Sequence, residues 1–398
     1  MLPETHRHSP KMKPLPLCYK DYLAGLPLAA RRRLQVLPEG VVDLASNDSL
    51  GLSQHPAVIA RAGAWLAQYG AGGRASRLVS GEHAGFARLE AKLAARKRTE
   101  AALILGGGFQ ANATLLPALL DRRVLQAEPL IFADRLIHAS LYQGLAAASA
   151  GGKPLRVRRF HHNDLDHLEA LLDATAATDA PRFIITESLF SMDGDGPDLA
   201  RLLSLKEQYG AFLYLDEAHC TGMLGADGMG CATDYPGRVD LVMGTFSKGL
   251  GSYGAYVACS ADLRDYLVNR CAGLIYSTAL PPAALGAVDA ALDLVPEMQR
   301  EREQVLATAA RLRQAVADLG LAACPGGASH IVPVIIGAAG AALAASAFLL
   351  ERGIACPAIR PPTVPEGTSR LRISLNPAVD DAVIERLLTS MAAWMQLR

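Results

Sequence analysis

An α/β fold around a mostly parallel central sheet, flanked by helices, is what this sequence predicts, on three observations. Ala102–Leu105, Pro129–Phe132, Phe183–Thr186, Phe212–Leu215 and Leu241–Met243 are short apolar runs without polar alternation, as strands covered on both faces should be. Longer stretches with apolar residues at helical spacing, such as Asp198–Tyr209, lie between them and read as crossover helices. After Pro281-Pro282 the texture changes to that of a smaller α+β unit.

Residues 1–55 read as an N-terminal arm, 56–283 as a large domain and 284–398 as a small C-terminal domain. In the small domain, Ala283–Leu319 reads as one long helix kinked at Pro296. Ile331–Ile336 is a β-branched strand, Gly337–Gly340 a turn and Ala341–Leu350 a helix. Ser369–Leu375 and Asp380–Gln396 follow as a strand and a closing helix. Residues 331–350 are uncharged and near membrane-spanning length, but Pro333, the β-branched cluster and the glycine turn break the single helix that a span requires.

Composition narrows the function classes. With 398 residues, 51% of them hydrophobic, the chain has material for a large core. Lys+Arg and Asp+Glu number 39 each, which leaves no basic field for nucleic acid or an anionic membrane. Seven cysteines, an odd number without a C-x-x-C pair, fit reduced thiols in a cytoplasmic protein, most of them small buried apolar residues. Met1–Pro14 lacks an apolar signal-peptide core and reads as a frayed tail. No metal is expected.

Chemistry concentrates at Lys248, in Thr245-Phe-Ser-Lys-Gly-Leu-Gly251, and at Asp216, in Asp-Glu-Ala-His219. Each motif follows an apolar run, so each reactive group stands at the end of a buried strand. Lysine beside a buried site loses pKa and becomes a nucleophile for imine exchange, and Ser247, Gly249 and Gly251 leave room for a planar group. Taken singly, Lys248 is a solvated loop lysine, Asp216 a helix N-cap and His219 a satisfied core histidine. Together they resemble the heart of a fold-type I pyridoxal phosphate enzyme, which implies a cofactor held by Lys248 as a Schiff base, its pyridine nitrogen paired with Asp216 and its phenolic oxygen within reach of His219. Gly106-Gly107-Gly108 follows a strand and opens a helix, which presents free N–H groups to a phosphate; Thr245 and Ser247 add hydroxyls. His138, just after the strand at 129–132, is placed to stack on the ring, or is a surface loop histidine.

These residues, in this order, resemble the α-oxoamine synthases, fold-type I pyridoxal phosphate enzymes that condense an amino acid with an acyl thioester and release carbon dioxide. The resemblance runs from about Arg31 to the C-terminus. It is carried by Ser46-Asn47-Asp48, Gly51-Leu52, Ser80-Gly81, Gly108-Phe109, the run from Asp134 to Leu141, His162-Asn163-Asp164, Phe190 to Gly194, Asp216-x-Ala218-His219, Thr245-x-x-Lys248-Gly249 and Tyr276-Ser277-Thr278. The segment from Ile359 to Arg372 is similar to the biotin-pathway member.

The resemblance implies pyridoxal 5'-phosphate as cofactor and Lys248, His138 and Asp216 as catalytic residues. Gly108 and Phe109 would contact the cofactor by backbone, Ser191 and His219 would bind it, and Thr245 would reach its phosphate. Arg31, Asn47, His138, Thr363 and Arg370 would meet substrate, Arg370 being suited to a carboxylate. Arg32, Arg33 and Arg372 keep the default reading of solvated charges. The implied substrates are L-alanine and a pimeloyl thioester on CoA or a carrier protein. The alternatives are another amino acid and acyl pair, with glycine and acetyl-CoA or a longer chain, and a fold-type I aminotransferase. A homodimer is implied too, with Thr278 and Asn47 reaching the neighbouring cofactor. Two positions depart from the family pattern: Ser49 replaces a tyrosine near the expected site mouth, and Phe86 a histidine.

Overall fold

The computed structural model describes residues 16–26, 36–150, 154–323 and 327–397. Among them a seven-stranded sheet holds β1 (Ala101–Leu105), β2 (Leu130–Asp134), β3 (Val157–Phe160), β4 (Arg182–Glu187), β5 (Phe212–Asp216), β6 (Leu241–Thr245) and β7 (Ala255–Cys259). The spatial order is β1-β7-β6-β5-β4-β2-β3, parallel except for β7, which is antiparallel to both neighbours. Helices cover both faces, so successive residues of one strand enter opposite cores. Ile104, Phe132, Ile184, Leu215 and Val242 pack on one side; Leu103, Ile131, Ile185, Tyr214 and Met243 pack on the other. That two-sided burial is why the strands lack polar alternation.

Two strands were not legible in advance. β3 reads Val-Arg-Arg-Phe and lies at the sheet edge, where Arg159 reaches water and the two arginines interrupt the apolar run. β7 is wholly buried and follows the glycine-rich turn after Lys248 closely. Asp216 proves to be the last residue of β5 rather than the first beyond it.

A second sheet, antiparallel, takes the order Ala358–Ile359, Ser369–Ser374, Ile331–Gly337, Ala322–Ala323. Ile331–Gly337 is followed by the helix Ala339–Leu350, and no helix among the described residues is long and apolar enough to cross a membrane. The expected long helix is two, Pro282–Glu297 and Gln299–Asp318. Pro296 lacks an N–H, and the chain turns at Met298; the carbonyl of Val295 accepts from the Met298 N–H at 3.2 Å and from the buried Arg302 guanidinium. Pro282–Glu297 packs on the helix Pro56–Tyr69, where a Cβ on Gly286 would lie 2.7 Å from the Trp65 ring. Val42–Asp43 pairs with Ile354–Ala355.

One buried ion pair anchors the turn after β5. Lys97, the last residue of the helix Ala84–Lys97, binds the Glu217 carboxylate and the Met229 carbonyl, and both charged side chains are fully buried. Glu217 also accepts from the Ala232 N–H at 2.8 Å. Burial pushes the Lys97 ammonium down, but the charge and hydrogen bond of Glu217 outweigh it and hold its pKa above the ordinary lysine value. Lys97→Met strands a buried carboxylate and should cost about 3–5 kcal/mol in urea unfolding. The double variant Lys97→Met/Glu217→Gln should recover part of that loss; equal losses in both would contradict a paired charge.

Candidate active site

The carboxyl ends of the parallel strands build the site, the usual place for a ligand in an open α/β sheet. Asp134, Glu187, Asp216 and Thr245 are the last residues of β2, β4, β5 and β6. Asp216, only 3% exposed, accepts on both oxygens: from Asn112 Nδ2 at 2.8 Å and from the Ala218 N–H at 2.9 Å. Asn112 stands on the helix Gly108–Leu119; its amide also donates to Ser140 Oγ at 2.9 Å, and its oxygen accepts from Tyr214 at 2.6 Å. Ser140 Oγ lies 2.7 Å from His138 Nδ1. Asp216, Asn112, Ser140 and His138 therefore form one hydrogen-bonded chain.

Glu187 lies beside Asp216 in register and accepts from the His138 N–H at 2.6 Å. Burial, then the nearby Asp216 charge, raises its pKa well above the ordinary carboxyl value, which favours the neutral acid. His138 opens to the cleft on one side; the protein around the rest of its ring lowers its pKa, and Lys248 lowers it further against the pull of Asp216.

Lys248 is half-buried after β6, and neither its amine nor the buried His219 ring has a hydrogen-bond or ion-pair partner among the described residues. Burial lowers the Lys248 pKa, with Asp216 and Glu187 opposing and Arg372 adding to the fall. His219 is lowered well below the ordinary histidine value by burial, then by the charges of Lys248 and Arg372. A Cβ on Gly249 would lie 2.5 Å from the Thr221 carbonyl, and one on Gly222 2.8 Å from Gly249 Cα. Glycine at 249 thus lets the Lys248 and His219 turns touch, rather than only giving a planar group room. Ser49 is buried, and a Cβ on Gly249 would be 3.2 Å from its hydroxyl. The serine therefore packs against the Lys248 turn and not at an open mouth. Phe86 is buried under the Arg77 guanidinium, 4.2 Å from its ring centroid.

The glycine turn does open a helix, and that N-terminus carries no side-chain cap, so its N–H groups are left for an anion. The Cβ direction of Gly108 lies 3.5 Å from Thr245 Cβ, and the hydroxyls of Thr245 and Ser247 are 2.8 Å apart. Phe109 is 57% exposed. Thr278 is exposed in a segment tied to the turn by Gln110 and Ser277.

The substrate candidates separate. Arg370 pairs with Asp193 at 2.6 Å and donates to the Met192 carbonyl. Arg372, read as a solvated charge, is 4% exposed. It donates to the Ser191 carbonyl at 2.6 Å, to Ser374 Oγ at 2.8 Å and to Asn47 Oδ1 at 3.1 Å, with no carboxylate within ion-pair distance among the described residues. Burial lowers its pKa to about 10. Asn47 thus serves the same chain's Arg372. Thr363 is exposed on its loop, and Arg31 lies outside the described residues, as do Arg32 and Arg33.

The model of the aminotransferase class I and II family matches residues 39–391, and the chain belongs to that family. It is a pyridoxal phosphate-dependent acyltransferase of the α-oxoamine synthase type. An 8-amino-7-oxononanoate synthase of Gluconacetobacter diazotrophicus is 52% identical over 88% of this chain and 87% of that one. Its counterpart from Geobacter sulfurreducens is 43% identical over 92% of each. A solved serine palmitoyltransferase of Sphingomonas wittichii superposes with a TM-score of 0.85 at 25% identity, over 96% of both chains. The residues present fit the cofactor: a lysine amine and an imidazole without partners among the described residues, an aspartate fixed on both oxygens, and an uncapped helix N-terminus beside two hydroxyls.

Asn112, Ser140, Glu187 and Arg372 carried no assigned role in the sequence. A further group is His162, whose ring lies between Asp134 and Asp195. Burial pushes this imidazolium down, but the hydrogen bonds and charges of the two carboxylates prevail and raise its pKa to about 10. Its folded value exceeds the ordinary 6.5, so its stabilisation is full below pH 6.5 and is lost as pH rises through about 10. His162→Gln should flatten the fall in unfolding free energy across that window in urea titrations; an unchanged slope would contradict the bridge.

Proposed function

We propose that the chain condenses L-alanine with a pimeloyl thioester to give 8-amino-7-oxononanoate, free thiol and carbon dioxide, a step of biotin synthesis. Arg372 carries this reading: a buried guanidinium without a carboxylate partner among the described residues, close enough for its charge to act on Lys248 and His219. Such a group suits the carboxylate of an amino acid through two parallel N–H···O bonds. Arg370, the residue expected to take it, is engaged by Asp193. The names of the relatives at 52% and 43% identity support the particular product.

When bound, pyridoxal phosphate supplies an electron sink for a carbanion at the amino acid's α-carbon. Lys248, its pKa lowered by burial, would hold the cofactor aldehyde until the amino acid's amine takes its place, and the lysine amine so freed would take the α-proton. Asp216 pairs with the ring nitrogen, a role supported by the fixing of both its oxygens. His138 is oriented through Ser140 and presents its other nitrogen to the cleft, where it polarises the thioester carbonyl. The α-carbon displaces the thiol from the thioester, and the resulting β-keto acid loses carbon dioxide and takes up a proton. A cytoplasmic homodimer completes the proposal. Exposed Leu78, Val79, Phe109, Tyr253 and Tyr276 lie on segments joined to one another around the glycine turn and support such an interface.

With L-alanine and pimeloyl-CoA, thiol and carbon dioxide should appear in equal amounts. An intact thioester with keto-acid-dependent turnover would instead mark an aminotransferase. Lys248→Ala should lose the visible band of covalently held cofactor and its fixation by borohydride; retention of either sinks the lysine assignment. Arg372→Gln should raise the KM for L-alanine roughly 10- to 100-fold, the worth of hydrogen bonds to a charged group, and more than Arg370→Gln does. The reverse ranking would return the carboxylate to Arg370.

A further inference from the structure

We propose that His162 is a positioning residue for the amino-acid carboxylate: it ties the loop Phe190 to Asp195 to the central sheet, and through that loop it fixes the guanidinium of Arg372. This rests on Arg372 being the carboxylate anchor. Nδ1 of His162 lies 3.1 and 3.2 Å from the two Asp134 oxygens, and Nε2 lies 3.2 Å from each oxygen of Asp195. Asp134 is an immobile post: it is fully buried at the end of β2 and accepts from the N–H groups of Leu136 and Asn163, both at 2.8 Å. The imidazole also meets the Phe190 ring edge-on, with centroids 4.4 Å apart.

The loop on the other side of this bridge is closed on itself. Phe190 N–H donates to the Asp195 carbonyl at 2.8 Å, and Gly194 N–H to the Phe190 carbonyl at 2.9 Å. Three of its other polar groups take side chains from the second sheet or from the residues leading into it. The Ser191 carbonyl takes Arg372 Nε, Asp193 takes Arg370, and the Gly194 carbonyl takes Ser329 Oγ at 2.8 Å. A single cationic ring between two carboxylates therefore sets where the Ser191 carbonyl stands, and that carbonyl sets the tilt of the Arg372 plane. A neutral side chain at 162 leaves Asp134 and Asp195 facing each other without a counter-charge.

The test uses the cofactor-loaded enzyme and reads the dissociation constant of L-alanine from the cofactor's absorption spectrum. The KM for pimeloyl-CoA and the affinity for pyridoxal phosphate are measured alongside. His162→Gln should weaken L-alanine roughly 10-fold, a coupling of ordinary size for groups in one network, and leave the other two constants within about twofold. His162→Arg, which restores a cation between the carboxylates, should recover most of the loss. In an Arg372→Lys background the His162→Gln effect should shrink to within about twofold. Asp195→Asn breaks the same bridge from the loop side and should reproduce the selective loss, which keeps the test open if His162→Gln does not fold. The proposal is overturned if L-alanine affinity is unchanged in the folded variants, if binding of L-alanine, pimeloyl-CoA and pyridoxal phosphate all weaken together, or if the loss persists undiminished beside Arg372→Lys. Should Arg372→Gln itself leave L-alanine affinity unchanged, the anchor reading fails and this proposal with it. A silent His162→Gln beside a damaging Arg372→Gln overturns this proposal alone.

Discussion

The buried carboxylate of Asp216 sets the terms for its surroundings. A carboxylate taken out of water is costly unless hydrogen bonds replace its hydration, and here Asn112 and the Ala218 N–H supply them, one to each oxygen. Asn112 is itself held by Ser140 and Tyr214, so the helix after the glycine turn, the helix after His138 and β5 are fastened at one point. A second negative charge beside Asp216 is disfavoured, and Glu187 is pushed toward its neutral form by its own burial first and by the Asp216 charge second. The amine of Lys248 stands in the same field, its loss of pKa through burial moderated by these two carboxyl groups.

Around that point the molecule brings turns together by close backbone contact. Gly222 and Gly249 allow the His219 turn and the Lys248 turn to touch. The Lys97–Glu217 pair holds the first of these turns from beneath. Strand β1 lies at the sheet edge, where Glu90 accepts from the Ile104 N–H at 2.8 Å and Arg77 donates to its carbonyl at 3.3 Å. These two side chains stand where a neighbouring strand would, and so steady the strand that leads into the phosphate turn. Arg372 reaches the site from the second sheet and is held by Ser191 and Asn47 from two other segments.

Much of this was legible because burial on both faces leaves a plain mark: the five apolar runs are five of the seven strands. That Lys248, Asp216, His219 and His138 would lie close together was legible because reactive groups just after strands are few and their spacing is distinctive. Arg372 was not. In Ser369–Ser374, arginine alternates with Leu371 and Ile373, a pattern that suggests one wet face. That face is in fact covered by a loop 177 to 181 residues earlier in the chain, as the contacts of Arg372 with Ser191 and of Arg370 with Asp193 require. Local periodicity does not report such long-range cover. Glu187 gave a fainter signal, a carboxylate directly after Phe-Ile-Ile-Thr, and only its register beside Asp216 explains it. The expected kink at Pro296 is a break two residues later, at Met298, where the Val295 carbonyl accepts from the Met298 N–H and from Arg302, a side chain seven residues on.

The proposed role of Asp216 is open to direct observation. Reconstitution with pyridoxal phosphate labelled with nitrogen-15 at the ring, followed by nitrogen NMR at neutral pH, reads the protonation of the pyridine nitrogen itself. A pyridinium shift in the wild type that moves to the neutral pyridine range in Asp216→Asn is the expected result. A neutral ring in the wild type, or a protonated ring that survives Asp216→Asn, would contradict it.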